Sequence, residues 1–344
     1  KTLKMTDVSR RPVWDMLTKN CKKSRWPFKP GDEGLVRVET YGLPFLTDVS
    51  ASKDICQHPE YKNLHGLVLS PTTFIALEGA VPILSSGSLS TMGDVLFPSP
   101  AYGHGTEGFA YNEESGIPWE MKRDRLYWAG STTGAWADSD DWRKFHRQRL
   151  VSVAQGLNTV IKYRYLRQKP DGTPHVVADE AFPLEQFNVS FTAVIQCRED
   201  ICIAQESFFD IHEREDQDAA LKSKLVFDID GNGISGRFLK LLQSRSAVLK
   251  VTMLKEWHDE RMVPWLHYVP VNLGMWKLPE LVTWLTATNE GRRVARTVAE
   301  KGRQWALKAL REEDRAVYVY RLLSELPKIQ DPDRPPLKVP PNVS

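Results

Sequence analysis

The chain has 344 residues, with 46 Lys or Arg against 44 Asp or Glu, a formal charge of +2, and is 41% apolar and 26% charged. At about 100 to 200 residues per domain this length predicts two core-forming domains. The balanced, interspersed charge gives no general attraction to a polyphosphate backbone, so nucleic acid is not an expected partner. No window approaches the roughly 18 uninterrupted apolar residues of a membrane helix.

The opening Lys1-Thr-Leu-Lys-Met5 has no apolar signal core and no initiating Met; a front carrying any membrane anchor is expected ahead of Lys1. A helix is predicted over 13–21, then segments punctuated by Pro and Gly, such as Trp26-Pro-Phe-Lys-Pro-Gly31. The short apolar runs Leu67-Val-Leu69 and Val81-Pro-Ile-Leu84 bracket 73–79 as alternating strand and helix would. Ser85-Ser-Gly-Ser-Leu-Ser-Thr91 reads as a polar loop, and the Pro-, Gly- and Tyr-rich stretch 98–120 as a connection between two halves. A second set follows, with a strand at 126–129, a turn at 130–134, a helix over 141–156 and a strand at 189–196.

The clearest unit is Lys224-Leu-Val-Phe-Asp-Ile-Asp230 as a buried strand, a glycine-rich turn, a helix over 237–244 and a strand at 248–252. Strand, helix and strand at this spacing predict a parallel crossover. His267-Tyr-Val-Pro-Val271 suggests a further strand, and helices are expected at 278–286, 292–310 and 316–326. In the longest, Val294, Val298, Trp305 and Ala306 recur at helical spacing as a core-facing stripe. The prolines after Ile329 predict an extended or disordered tail over 329–344.

Four cysteines, Cys21, Cys56, Cys197 and Cys202, lack the C-x2-C pairs of a structural zinc site. Cys197 and Cys202 flank a short polar turn, Arg198-Glu-Asp-Ile201, and either bridge or remain half-buried thiols. Asn188-Val-Ser190 and Asn342-Val-Ser344 match the N-glycosylation pattern, and together these features incline toward a secretory compartment.

The segment Asp228-Ile-Asp-Gly-Asn-Gly-Ile-Ser-Gly-Arg-Phe238 admits three readings. As a calcium loop it places Asp228, Asp230, Asn232 and Gly233 correctly, but position twelve is Leu239 where a bidentate Glu belongs, and a strand precedes it rather than a helix. As a dinucleotide fingerprint, Gly231-x-Gly233-x-x-Gly236 follows a strand and opens a helix, with Glu256 about twenty residues on, as an NAD(P)-dependent oxidoreductase would have it. The two carboxylates at the turn count against a pyrophosphate there. As a diphosphate clamp, the glycines let the backbone approach, the amides at the helix start point at an anion, and Arg237 adds a guanidinium fork.

Gly130-Ser-Thr-Thr-Gly134 repeats that arrangement after an aromatic strand, and Arg143, His146, Arg147 and Arg149 follow on one helix. His146 and Arg149 share one face, Arg143 and Arg147 another. Asp138-Ser-Asp140 and Asp228-Ile-Asp230 match the D-x-D pattern of metal-dependent sugar transferases, a pattern common by chance. His258 and His267 are candidate acid, base or metal ligands. No G-x-S-x-G elbow, H-E-x-x-H or Walker loop occurs.

Trp128-Ala-Gly-Ser-Thr-Thr-Gly134, His146-Arg-Gln-Arg149, the 228–238 segment with Leu241-Leu-Gln-Ser244, and Pro264-Trp-Leu-His-Tyr-Val-Pro-Val271 together resemble family 90 glycosyltransferases, from about residue 82 to 326. These are the fungal capsule-associated xylosyltransferases and the animal protein O-glucosyltransferases with their KDEL-type relatives. The 13–17 segment and Phe45-Leu-Thr-Asp-Val-Ser50 look like the fungal branch. The resemblance implies an α/β, GT-B-like fold with two Rossmann-like lobes. Residues 1–120 would be an incomplete acceptor-side lobe and 121–328 the UDP-sugar lobe.

It further implies an inverting, metal-independent transfer of xylose or glucose from a UDP-sugar to a hydroxyl of a glycan or protein, with no cofactor, in the Golgi or endoplasmic reticulum lumen. By motif, Ser131 should touch the nucleotide sugar, Arg147 and Arg237 should neutralise the diphosphate, and the amides of Asn232, Gly233, Ile234, Ser235 and Gly236 should line it. The family's base, an Asp in an Asp-Glu-Pro or Asp-Tyr-Pro stretch, has no counterpart here and is expected upstream of Lys1, while Asp94 matches an acceptor-side Asp. Ala129 stands where animal members have Arg. Without a base, the alternative is a catalytically inactive nucleotide-sugar or carbohydrate-binding protein.

Overall fold

A computed structural model describes residues 3–22, 45–79, 81–102, 110–157, 164–178, 182–216 and 218–331. Before residue 123 the elements are short: β1 (Lys4–Asp7), α1 (Trp14–Leu17), α2 (Val49–Ser52), α3 (Gly66–Leu69), β2 (Ile75–Glu78), β3 (Leu84–Ser85) and β4 (Val95–Leu96). β1 pairs antiparallel with β2, and β3 parallel with β4. Then come β5 (Arg123–Ser131), α4 (His146–Ala154), β6 (Arg164–Gln168), β7 (Pro174–Ala178), β8 (Phe187–Ala193), α5 (Glu199–Phe208) and β9 (Ser223–Ile229). The chain continues through α6 (Phe238–Gln243), β10 (Ala247–Val251), β11 (Val269–Pro270), α7 (Leu278–Ala287), α8 (Asn289–Ala309) and α9 (Glu312–Gln330).

Five strands form one parallel sheet in the order β11-β10-β9-β5-β8. Leu225, Val226, Phe227 and Ile229 are apolar on both sides of β9 because both faces of the strand are covered. Leu225, Phe227 and Ile229 enter one core with α4, α7 and the first half of α8, whereas Val226 enters another with α6 and Leu310. β10 divides likewise, Leu249 to one side and Val248 to the other. Burying each such side chain contributes about 1.5 to 3 kcal/mol. From β5 the chain moves out to β8, then returns across to β9 and on toward β11. The carboxyl ends of β5 and β9 therefore flank the point where the winding reverses, the place at which open parallel sheets take ligands.

The expected crossover over 224–252 is present as β9, α6 and β10. Other expectations change. Residues 66–69 are a helical turn rather than a strand, because His65 caps them through Nδ1, which accepts from Leu67 N at 3.1 Å, while 75–78 is the strand. The helix expected over 13–21 is a single turn, closed by Thr18 Oγ1 donating to Trp14 O and followed by Cys21, which bridges to Cys56. The helix over 141–156 breaks at Phe145, whose backbone is extended. The stretch 198–201 is no turn, since α5 starts at Glu199 and the Cys197–Cys202 disulfide ties its first turn to the chain just ahead of its N-cap Arg198.

The hairpin of β6 and β7 was not legible in the pattern. In α8 the buried seam is Gly291, Ala295, Val298, Ala299, Gly302 and Ala306, and the larger Val294 and Trp305 flank it. Asn188 sits half-buried in edge strand β8, paired with Tyr127, and not in an open loop. α9 runs to Gln330, past the expected start of the tail; 332–344, with Asn342, and the 26–31 segment lie outside the described residues. No described helix is long and apolar enough to cross a membrane. Val13, Trp14, Leu17, Ile55 and Tyr61 share their core with Met253, Leu254 and Leu273, so these N-terminal segments pack on the loops that follow β10 and β11.

Candidate functional site

The last residues of β5 do not keep its register. Gly130 pairs with Phe191 of β8 but Ser131 with Ala193, so one residue is skipped and Ser131 is re-aimed at the strand's end. Beside it, β9 ends at Ile229 and the chain enters the 230–237 loop. Two side chains fasten these loops together. Asn232 Oδ1 accepts from Gly134 N at 3.1 Å and from Thr72 Oγ1 at 3.3 Å. Arg147, on the first turn of α4, donates from Nε to Asp230 O at 2.8 Å and from Nη1 to Ser131 O at 3.1 Å and Thr133 Oγ1 at 2.6 Å. Arg237 crosses the other way, Nη1 donating to Ala129 O at 2.7 Å.

Both guanidiniums lie over Trp128, their carbons 5.6 and 5.7 Å from the ring centroid. Their partners among the described residues are carbonyl and hydroxyl oxygens, never a carboxylate. Burial pulls the pKa of Arg147 down, and Arg237 beside it adds to the effect; burial does the same to Arg237, against Asp228. Two dehydrated, mutually repelling cations with spare N–H groups make a site that an anion would relieve.

Arg147, Arg237, Ser131, Ile234, Ser235 and Gly236 line one cavity of about 630 Å³ at the winding reversal. Tyr127 and Glu215 also line it, the hydroxyl donating to Glu215 Oε2 at 2.9 Å. The structure thus gathers six of the eight residues expected to bind nucleotide sugar and separates two. Asn232 and Gly233 face a second hollow, about 500 Å³, which Asp94 and Glu78 also line. Asp94 Oδ2 accepts from Ser85 Oγ at 2.7 Å. The 230–237 loop is the wall between the two, pinned from the second side by close packing of Ile234 on Gly87, where a Cβ would lie 2.4 Å from Ile234 Cγ2. The positive charge comes from side chains. α6 has only six residues, so its terminus adds little.

The remaining candidates are used elsewhere. Arg149 is half-buried and donates to the carbonyls of Leu64, Leu273 and Gly274, clasping distant segments. His146 packs beneath the loops, and Arg143 lies over the rings of Trp142 and Phe208. His258 stacks on Phe238 and His267 on Trp305, and neither lines either hollow. Asp228 is paired with buried Lys250 at 2.8 Å, and Asp230 Oδ2 accepts from Thr252 Oγ1 and Met253 N, so neither is available to a calcium ion or a D-x-D metal. Glu256 accepts from Lys250 and Tyr102, which removes the carboxylate that a nicotinamide dinucleotide's ribose requires. Sequence reasoning missed Trp128 and Thr133 as supports of the guanidiniums. Their signal was adjacency to Ser131 in the same motif.

The family model for glycosyl transferase family 90 matches residues 106–336, the span that contains the sheet and both loops. The chain belongs to this family. Among curated members of similar sequence, human protein O-glucosyltransferase 1 is 24% identical over 257 residues, 73% of this chain and 58% of that protein. The O-glucosyltransferase rumi homolog of Anopheles gambiae is 23% identical over 266 residues, 72% and 56%. That of Aedes aegypti is 32% identical over 111 residues, 31% and 26%. This family 90 chain thus spans a little over half the length of the first two. Its mixed α/β fold with a five-stranded parallel sheet is consistent with a glycosyltransferase.

Proposed function

We propose that the chain binds a UDP-sugar in the 630 Å³ cavity and transfers glucose or xylose, with inversion and without a metal, to a hydroxyl of a protein or glycan. The observation that carries this is the convergence of Arg147 and Arg237, unpaired by any described carboxylate, with Ser131 on one hollow at the sheet's reversal point. In the reaction the acceptor oxygen attacks the anomeric carbon from the face opposite the nucleotide, the bond from that carbon to the phosphate oxygen breaks, and the electron pair leaves with UDP. Guanidiniums already fixed and desolvated stabilise the charge that develops on the diphosphate without reorganising at that moment. Ser131 and the 234–236 backbone would position the donor.

The second hollow, across the loop wall, would take the acceptor, with Asp94 on its lining. The base that accepts the hydroxyl proton would be a carboxylate on the acceptor side. In this reading residues 121–328 are the nucleotide lobe of a GT-B-like enzyme and 1–120 belong to its acceptor side. Two disulfides support an oxidising, secretory compartment, whether endoplasmic reticulum or Golgi.

Calorimetric titration with UDP, followed by turnover assays on UDP-glucose and UDP-xylose, tests the proposal. Absence of UDP binding removes it. Binding without turnover by a chain extended upstream of Lys1 would favour an inactive nucleotide-sugar-binding protein instead.

A further inference from the structure

Behind the loop wall lies a buried chain of charged groups that touches neither hollow. Asp228 Oδ2 and Lys250 Nζ are 2.8 Å apart, Lys250 Nζ and Glu256 Oε1 3.1 Å, and Tyr102 Oη lies 2.7 Å from Glu256 Oε2. Tyr102 Oη is also 3.1 Å from Ser235 O, so its single proton is shared between a carboxylate and the carbonyl in the middle of the donor loop. All four side chains and Ser235 are at least nine-tenths buried. The chain therefore grips the loop twice, at Asp228 just before it and at Ser235 within it. Lys250 lies 3.8 Å from the ring centroid of Phe238, the first residue of α6, which holds the loop's far end as well.

We infer that Tyr102 is a positioning residue for the nucleotide-sugar site, holding Ser235 and hence the 234–236 backbone in the conformation that receives the diphosphate. Tyr102 never reaches the cavity. It acts through Ser235, and it belongs to the segment that carries Asp94, so one hydroxyl couples the acceptor-side wall to the donor loop. Burial and the neighbouring Glu256 raise its pKa well above that of an ordinary phenol, which keeps the donated proton in place. A buried hydrogen bond to a charged partner holds geometry more firmly than a neutral surface one.

The inference rests on the proposed UDP site, and the test has two arms that separate them. In the first, hydrogen exchange of the ligand-free protein is followed over residues 231–238; Tyr102→Phe should speed exchange there at least fivefold while β9 and β10 keep wild-type rates. In the second, UDP is titrated. Tyr102→Phe should raise the dissociation constant roughly tenfold, and Tyr318→Phe, which removes a hydroxyl from Leu96 O in the neighbouring segment, should leave it unchanged. Wild-type exchange and wild-type UDP affinity in Tyr102→Phe overturn the inference. If the wild-type protein itself ignores UDP, the site assignment fails and the exchange arm alone decides the positioning. Should Tyr102→Phe not fold, Glu256→Gln is put through both arms with the same expected and overturning results.

Discussion

The imidazoles of His65 and His146 stack face to face, 3.7 Å between centroids and 4° from parallel, in the interior beneath the two site loops. His146 Nδ1 accepts from Gly66 N at 3.3 Å, which places its proton on Nε2, and Nε2 donates to Asp230 O at 2.8 Å. His65 Nε2 lies 3.4 Å from Asp230 Oδ2. The stacked pair thus joins α3, α4 and the start of the donor loop.

Within this pair His146 makes stability depend on pH. Burial, then His65 and Arg147, hold the pKa of His146 well below the usual 6.5. The unfolded chain therefore takes up a proton near pH 6.5 that the folded chain refuses, so stability is full above that pH and falls below it, by at most about 1.4 kcal/mol per pH unit for each such group. His258 adds in the same direction, mainly through burial. Urea melts from pH 7.5 to 5 should show the decline, and His146→Gln should flatten it. A curve level across that interval contradicts the account.

The two arginines should separate by substitution. The Arg237 side chain makes one hydrogen bond among the described residues, so Arg237→Ala should lower the melting temperature little yet weaken UDP binding by about 1.5 to 3 kcal/mol, roughly ten- to 150-fold. Arg237→Lys should not restore it, because the planar fork is lost. Arg147 fastens both loops with three bonds, so Arg147→Ala should lose both stability and affinity. Equal UDP constants for wild type and Arg237→Ala would retire the clamp.

Two glycines should behave oppositely. Gly134 has φ +116°, and a Cβ there would lie 2.6 Å from His146 Cε1, so Gly134→Ala should destabilise by more than about 1 kcal/mol. Gly233 has nothing within 4 Å of where a Cβ would sit. Gly233→Ala should therefore melt within a degree or two of wild type, and any change it causes in acceptor or donor affinity reports contact with ligand rather than damage to the loop. A large drop in its melting temperature would show that the loop is tighter than described.

The disulfides should differ in weight. Cys21 and Cys56 stand 35 positions apart and Cys197 and Cys202 only 5, so the first bridge removes more unfolded-state freedom. Chain-entropy arithmetic gives about 4 against about 2 kcal/mol. Paired Cys→Ser variants, compared by equilibrium unfolding, should follow that order.

What the sequence by itself determined is everything governed by local pattern. An apolar run, a glycine turn, a short helix and a second apolar run over 224–252 can only be a parallel crossover, since both faces of each strand must be covered. Four motifs in order were enough for the family. Three apolar residues at 67–69 have no period, so strand and helix were equivalent until His65 capped the turn, and α5 was hidden because only Ile201 and Gln205 face inward. The tertiary structure alone decided which charges are available. Asp228, Asp230 and Glu256 look like ligands in the sequence, but partners 22, 23, 6 and 154 residues away neutralise or satisfy them. Arg147 and Arg149, two positions apart, differ only because α4 turns one toward the reversal point and the other into carbonyls of distant loops. Burial and long-range pairing fix the energy of a charge, and neither is encoded in the spacing of neighbours.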